Sequence, residues 1–420
     1  MSAPKHYSIA ALQDARRRTL ELVADLTDDE MIGPRLDIVN PLRWEIGHVA
    51  WFQEYWVLRH LCGREPLLAN GDALYDSAKV AHDTRWDLPL PTKTQTIDYM
   101  TKVIDEIGAI EPRGKDAAYF LALALFHEDM HGEAITYTRQ TLARPAPKLT
   151  TGETKPAFHE NIEGDAFVPG GLFTLGNTSD DEFVFDNEQR PFEVSVQSFK
   201  ISRTATTNGD FAKFVEDGGY KRRELWSDEG WTWRETVNAD HPVYWSFKDG
   251  AWWRRNFDQL VPLEVRHPVL HVNWHEADAY CRWAGRRLPT EAEWEMAASG
   301  GSDRKRRFPW GDEQPTAAHA NLDSSNLGTV DVSDLPAGDS VFGCRQMIGN
   351  VWEWTASDFT PYPGFVAGPY KEYSEPWFGN HKVLRGGCWV TRSRLISNTY
   401  RNFYMPHRRD VWAGFRTCAR

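Results

Sequence analysis

His127-Glu128-Asp129-Met130-His131 is where the residue types and spacing of this chain point most directly to chemistry. Two imidazoles four residues apart on a helix of 3.6 residues per turn lie about 40° apart, so both rings reach one ion from the same face. The preceding run Tyr119-Phe-Leu-Ala-Leu-Ala-Leu-Phe126 is apolar enough to bury such a helix. Glu128 falls about 100° and Glu133 about 240° from His127 around the axis, so neither carboxylate completes that face. A third ligand has to come from another helix. His48, within Trp44-Glu45-Ile46-Gly47-His48-Val49-Ala50-Trp51, is the best candidate, because a lone charged imidazole among apolar residues is costly. His60, beside Leu61 and Cys62, reads as surface or packing. Three neutral imidazoles leave a divalent ion's charge uncompensated and several coordination positions open, which suits substrate and oxygen better than a closed structural role.

The same five residues also spell H-E-x-x-H, in which paired histidines bind zinc and the glutamate is the general base of a metalloprotease. A metal-free binding protein with two satisfied histidines is the plainer alternative. The pentapeptide alone does not choose among the three.

The elements that must position these residues are helical in the first third of the chain. Ile9, Leu12, Leu20, Leu22, Val23 and Leu26 give one amphipathic helix, and Pro41 opens a second that runs through Leu61 to stop at Gly63. Thr94 to Ile110 predicts a third and Lys115 to Leu142 a fourth. Four such helices make a bundle, an architecture that presents metal ligands from facing helices. The proline-rich stretch from Ala143 to Pro156 then breaks the periodicity. The expected organisation is a bundle over 1–145, a linker over 146–158 and a second domain over 159–420. The last is a loop-rich α+β unit, with a strand-like segment from Phe192 to Phe199 and convincing helices only at Asn208 to Asp217 and His275 to Ala284.

Composition narrows the functional classes. A net charge of −12 with no long basic run argues against nucleic acid or anionic membrane as partner. The short cluster Arg304-Lys305-Arg306-Arg307 reads as a solvated loop. No stretch reaches the roughly 18–20 apolar residues that span a bilayer, and the N-terminus lacks the apolar core of a signal peptide, so a cytoplasmic protein is expected. Five scattered cysteines without C-x-x-C spacing indicate neither a disulfide framework nor a zinc ribbon. The 19 tryptophans exceed what an ordinary core needs and suit a compact, loop-rich domain or a ligand cleft.

Trp44-Glu-Ile-Gly-His48 followed by His127-x-x-x-His131-x-Glu133 resembles the DinB-like iron-binding bundle of the ergothioneine-pathway sulfoxide synthases. His271 to Glu295, Phe308-Pro-Trp-Gly311, Gly349-Asn-Val-Trp-Glu-Trp354 and Leu384-Arg-Gly-Gly387 resemble the formylglycine-generating-enzyme domain, a C-type-lectin-like fold. The two resemblances cover nearly the whole chain. They imply a multidomain α+β enzyme with Fe(II) held by His48, His127 and His131. They also imply a reaction in which dioxygen joins the hercynine imidazole to the chalcogen of a second substrate, by a monomer or small homo-oligomer. A formylglycine-generating enzyme itself would need a reactive cysteine pair after Arg-Gly-Gly, whereas Cys388 directly follows Gly387 and Val390 to Arg401 contains none.

The chain departs from the family at three places. Met130 stands where the sulfoxide synthases carry a glutamine on the hercynine side. Their Arg-Asn-Trp-Asp segment, whose aspartate holds the amino group of a cysteine-type donor, is here Arg401-Asn402-Phe403-Tyr404. The family's catalytic tyrosine falls on Phe365, with Tyr362 and Tyr370 nearby and Tyr404 a further hydroxyl. These departures resemble the branch that joins a selenosugar to hercynine rather than the thiol-using branch. Met130, Arg85, Phe365, Asn402, Phe403, Tyr404 and Arg408 are the implied substrate contacts, and Tyr362, Tyr370 and Tyr404 the implied proton donors.

Overall fold

In the computed structural model, which describes residues 8–110, 112–151, 162–179, 183–301 and 304–420, the chain forms two compact units. One is Met1–Thr150 with Asp180–Phe183; the other is Thr151–Ser179 with Val184–Arg420. Most of the stretch expected as a linker lies outside the described residues. No described helix is long and apolar enough to cross a membrane.

The first unit is built on four helices: α1 (Ile9–Val23), α2 (Leu42–Gln53), α3 (Lys93–Ile110) and α4 (Lys115–Thr141). Ser8 caps α1 by accepting from the Ala11 amide, and Pro41 sits immediately before α2, where a missing N–H costs nothing. The second helix differs from the sequence expectation of one continuous α-helix to Leu61. From Glu54 to Leu61 the backbone widens into a π-helix. The change coincides with the buried Glu54 carboxylate, which accepts from the Tyr99 hydroxyl at 2.6 Å and the Leu67 amide at 3.2 Å.

The second unit is mixed. Strands β1 (Asp165–Val168), β2 (Gly171–Leu175), β3 (Phe192–Val196) and β4 (Phe199–Ser202) open it. The single strand expected from Phe192 to Phe199 is thus two, and they enter different sheets: β3 pairs with β2, and β4 pairs with β1. Three strands, β5 (Trp245–Lys248), β6 (Ala251–Asn256) and β7 (Gln259–Pro262), form an antiparallel sheet in that order. The remaining strands are β8 (Arg286–Arg287), β9 (Trp352–Asp358), β10 (Lys382–Arg385), β11 (Asn402–Tyr404), β12 (Ala413–Gly414) and β13 (Cys418–Ala419). They complete two four-stranded sheets, β1-β4-β13-β8 and β11-β10-β9-β12.

Helices α5 (Asn208–Glu216) and α7 (Trp274–Trp283) lie where the sequence predicts them. Two more were not expected, α6 (Asp228–Thr236) and α8 (Glu291–Ser299). The second carries a legible start, since Thr290 and Glu293 form a capping box. The basic cluster is not simply solvated either: Lys305 is ion-paired to the buried Glu295 at 2.5 Å.

The core of this unit is stitched by buried charges. Arg385 bonds both Glu291 and Glu295, Arg401 bonds Glu291 at 2.7 Å, and Arg416 forks onto Glu353 at 2.7 and 2.8 Å. Glu188 lies beside this network, accepts from the Thr399 hydroxyl at 2.9 Å, and is pushed up to about 7 by burial. Its unfolded value is 4.5, so the stability carried by the protonated form is complete below pH 4.5 and is lost as pH climbs through about 7. The loss is about 3 kcal/mol by linkage. Glu188→Gln keeps the acceptor and removes the titration. Urea unfolding at pH 5 and pH 8 should therefore show the variant gaining on the parent as pH rises; an unchanged difference would contradict the burial assignment.

Candidate metal centre

Helix α4 delivers His127 and His131 one turn apart, and α2 delivers His48 from across the bundle. One nitrogen from each ring lies within 4.8 Å of the others. The Nε2 atoms of His127 and His131 are 3.1 Å apart.

The other nitrogens fix the ring orientations. His48 directs Nδ1 to the Tyr75 carbonyl at 2.7 Å, and His131 directs Nδ1 to the Glu45 carboxylate at 2.6 Å. With those protons on Nδ1, the Nε2 atoms of both rings are lone pairs facing inward. His127 is clamped by Phe52, stacked at 3.5 Å and 5°. Gly47 makes the His48 contact possible, because a Cβ there would sit 2.3 Å from the Tyr75 ring. Trp44 reinforces it by donating to the preceding carbonyl, Leu74, at 2.7 Å.

This donor set fits a metal ion. Lone pairs converging within a few ångströms repel one another unless a cation or a shared proton lies between them. Metal–imidazole bonds of roughly 2.0–2.1 Å at near-right angles place neighbouring nitrogens about 3 Å apart. Burial also keeps His48 and His127 neutral, as ligands must be: it drives His48 down to about 3 and His127 well below the usual imidazole value, with neighbouring His131 adding to both. Glu45 would be pushed up by burial, but the charge and hydrogen bond of His131 outweigh that and hold it below its ordinary value. His48 and His127 are buried, whereas the His131 side chain keeps 20% of its surface, which marks the open side of the site.

Glu128, the would-be base of H-E-x-x-H, faces elsewhere. Its carboxylate is fully buried, accepts from Arg16 at 2.8 and 3.2 Å and from Gln53 at 2.5 Å, and so has no room to activate water. His60 packs against Trp56 and Phe120, as read from sequence.

The other implied site residues fall into different settings. Met130 is half-buried one residue before His131. Arg85 is buried rather than open: it donates to Asn40 at 2.7 Å and to the Val80 carbonyl at 3.2 Å, and stacks on Trp44 at 3.9 Å. In the second unit Tyr362 is a core residue, its hydroxyl donating to Glu291 at 3.2 Å and its ring 4.1 Å from the Arg401 guanidinium. Burial pushes its acidity far from a working proton donor's range. Tyr370 and Tyr404 are half-buried and are the more open hydroxyls. Phe403 stacks on Phe359 at 3.9 Å, Phe365 meets Phe378 edge-on at 5.1 Å, and the Asn402 side chain accepts from the Phe403 amide at 2.8 Å. Tyr404 carries Arg408 5.3 Å from its ring centroid, and Arg408 is forked onto Asp410 at 2.7 and 2.6 Å.

Residues not singled out from sequence also matter, namely Glu45, Asn40 and Tyr75. Glu45 gave the clearest signal: an acid three residues before His48 in an otherwise apolar run needs a buried partner.

A helical bundle with a three-histidine cluster joined to an α+β unit defines a class, and comparison with known proteins agrees. Residues 11–135 match the DinB superfamily, and residues 150–420 match the sulfatase-modifying factor enzyme 1-like domain. The chain is 37% identical to the hercynine oxygenase of Mycolicibacterium thermoresistibile, over 96% of this chain and 93% of that one. It is 35% identical to the hercynine oxygenase of Mycobacterium tuberculosis, over 99% of both. The formylglycine-generating enzyme of Mus musculus is 33% identical over 62% of this chain and 74% of its own length. The chain belongs to the hercynine oxygenase family of oxidoreductases.

Removing Glu128 should expose its structural role. Glu128→Ala leaves Arg16 buried and uncompensated, which costs about 3–5 kcal/mol. Chemical denaturation should read that loss, while metal bound per folded molecule stays at the parent level; a loss of metal without a loss of stability would return Glu128 to the site.

Proposed function

We propose that the chain is a non-heme Fe(II), dioxygen-dependent enzyme that joins the imidazole of hercynine, trimethylhistidine, to the selenium of a selenosugar, the activity of a selenoneine synthase. The observation that carries the iron reading is the convergence of three imidazoles, with the Nδ1 atoms of His48 and His131 held by a carbonyl and a carboxylate. The names of the relatives support hercynine as the substrate. Three imidazole ligands with an open side suit an ion that must admit reactants.

When bound, iron supplies the one-electron chemistry that lets dioxygen react with closed-shell partners. The chain's own part is to hold His48, His127 and His131 with their lone pairs inward and to keep water from His127 with the stacked Phe52. In the reaction the imidazole C–H and the donor Se–H are lost and a C–Se bond forms. The two hydrogens and their electrons pass to dioxygen.

The donor assignment rests on Met130 and Tyr404. A donor bearing an α-ammonium wants a carboxylate partner, and Tyr404 stands where the thiol-using relatives place one. The nearby Asp410 does not substitute, because both its oxygens are engaged by Arg408. A sugar donor has no ammonium to satisfy. Asn402, Tyr404 and Arg408 are proposed as substrate contacts on the strength of that family segment, with Tyr404 or Tyr370 as the proton donor.

His127→Ala should abolish both iron binding and oxygen-dependent consumption of hercynine; full iron occupancy with retained turnover would remove the site. Anaerobic reconstitution with ferrous iron, followed by oxygen and hercynine with selenosugar, γ-glutamylcysteine or cysteine in parallel, tests the donor. Preferred turnover of the selenosugar is expected. Preference for a thiol donor would make the chain a sulfoxide synthase.

A further inference from the structure

Resting on the reading of His48, His127 and His131 as a metal site, we propose that Arg85 is a positioning residue that holds two of the three ligands at once. It does so by two separate routes. Along the first, the Arg85 guanidinium donates to Asn40 Oδ1 at 2.7 Å, Asn40 Nδ2 donates to Glu45 Oε2 at 2.8 Å, and Glu45 Oε1 accepts from His131 Nδ1 at 2.6 Å. Along the second, the same guanidinium lies 3.9 Å from the centroid of Trp44, and Trp44 stacks on His48 at 4.6 Å and 11°.

Each link has a direction imposed by chemistry. Arginine only donates, so Asn40 must present its oxygen to Arg85 and its amide hydrogens to Glu45. A carboxylate on Nδ1–H fixes the tautomer and makes Nε2 a stronger donor, as outer hydrogen bonds do in many metal sites. A guanidinium over the Trp44 face holds that indole flat, and the indole in turn sets the plane of the His48 ring. His48 and His131 are not equivalent, since the first leans on a neutral carbonyl and the second on a carboxylate. Arg85 fixes Asn40 so that its amide holds the second oxygen of Glu45, leaving the first for His131. It thereby orients His131 through the Asn40–Glu45 chain and His48 through the face of Trp44.

The test uses the full-length apo protein and Co(II) alone as a spectroscopic probe, then ferrous iron. Glu45→Gln keeps an acceptor for His131 and deletes the charge; Asn40→Ala cuts the relay in the middle; Arg85→Met keeps a chain packed on Trp44 and deletes the fork. Glu45→Gln and Arg85→Met should each weaken Co(II) binding by about 10–100-fold and alter its visible spectrum. The Fe(III)/Fe(II) midpoint potential should rise in Glu45→Gln, because the more highly charged ion loses the most. The Asn40→Ala/Arg85→Met double variant should bind Co(II) much as Arg85→Met does, since Asn40 lies on one of the two routes that start at Arg85.

Failure of the wild-type protein to bind either ion would sink the metal reading itself. Normal wild-type binding with unchanged Co(II) affinity and spectrum in Arg85→Met would overturn the present inference alone, whether or not its melting temperature falls. So would a rise in donor KM at unchanged metal affinity, which would return Arg85 to a substrate contact. Asn40→Ala, at a half-buried position, supplies the same readouts should Arg85→Met fail to fold.

Discussion

Three imidazoles whose nitrogens converge on one point are an unstable arrangement, and the first unit is organised around making it tolerable. Burial takes His48 and His127 out of water and at the same time removes their incentive to protonate. Orienting the rings needs a destination for the Nδ1 protons of His48 and His131. Tyr75 brings a carbonyl to His48 from outside the ligand helices, and Glu45, on α2, reaches across to His131 on α4 with a carboxylate. The tight approach at Gly47, the Trp44–Leu74 hydrogen bond and the Phe52 stack are consequences of that requirement.

The second unit obeys a different logic. Its most recognisable segments, Glu291 to Glu295, Gly349 to Trp354 and Leu384 to Gly387, supply the acids and Arg385 that meet one another, Arg401 and Arg416 in the core. A buried ion pair is weak evidence for stability, because desolvation offsets much of the attraction, yet losing one partner is severe. Such residues are tightly specified by each other. The strongest motifs of this chain therefore report architecture, while its chemistry depends on a handful of histidines that form a weak motif on their own.

How much was legible follows from the same distinction. The four bundle helices could be read because a long apolar period survives local detail, and His48 because an imaginable charge among apolar neighbours demands a reason. The widening of the backbone at Glu54 could not, since it involves Tyr99 and Leu67, remote in sequence. Phe192 to Phe199 alternates well enough to look like one strand, but Gln197 and Ser198 near its end carry the chain from one sheet to another. Helix α6 was hidden by its tryptophans and charges, whose helical period is poor, whereas the Thr290–Glu293 capping box of α8 was present to be read. Arg85 stands out in the sequence as a polar candidate for a substrate contact, without its neighbours being legible. Its partners, Asn40 and Trp44, lie some forty residues away on the chain and only folding reveals them.

The pentapeptide shows why letters underdetermine chemistry. In a zinc protease of the H-E-x-x-H type the glutamate must face the open side of the metal, where water enters. Here Glu128 points into the bundle, and Arg16 and Gln53 occupy its oxygens. The open side is instead that of His131, beside Met130, whose thioether offers neither the charge nor the proton acceptor that hydrolysis would require. What separates the two uses of one motif is which face of the helix is covered. A helix that buries its acid and exposes its second histidine leaves the metal to bring reactants together, and leaves base chemistry to some other residue.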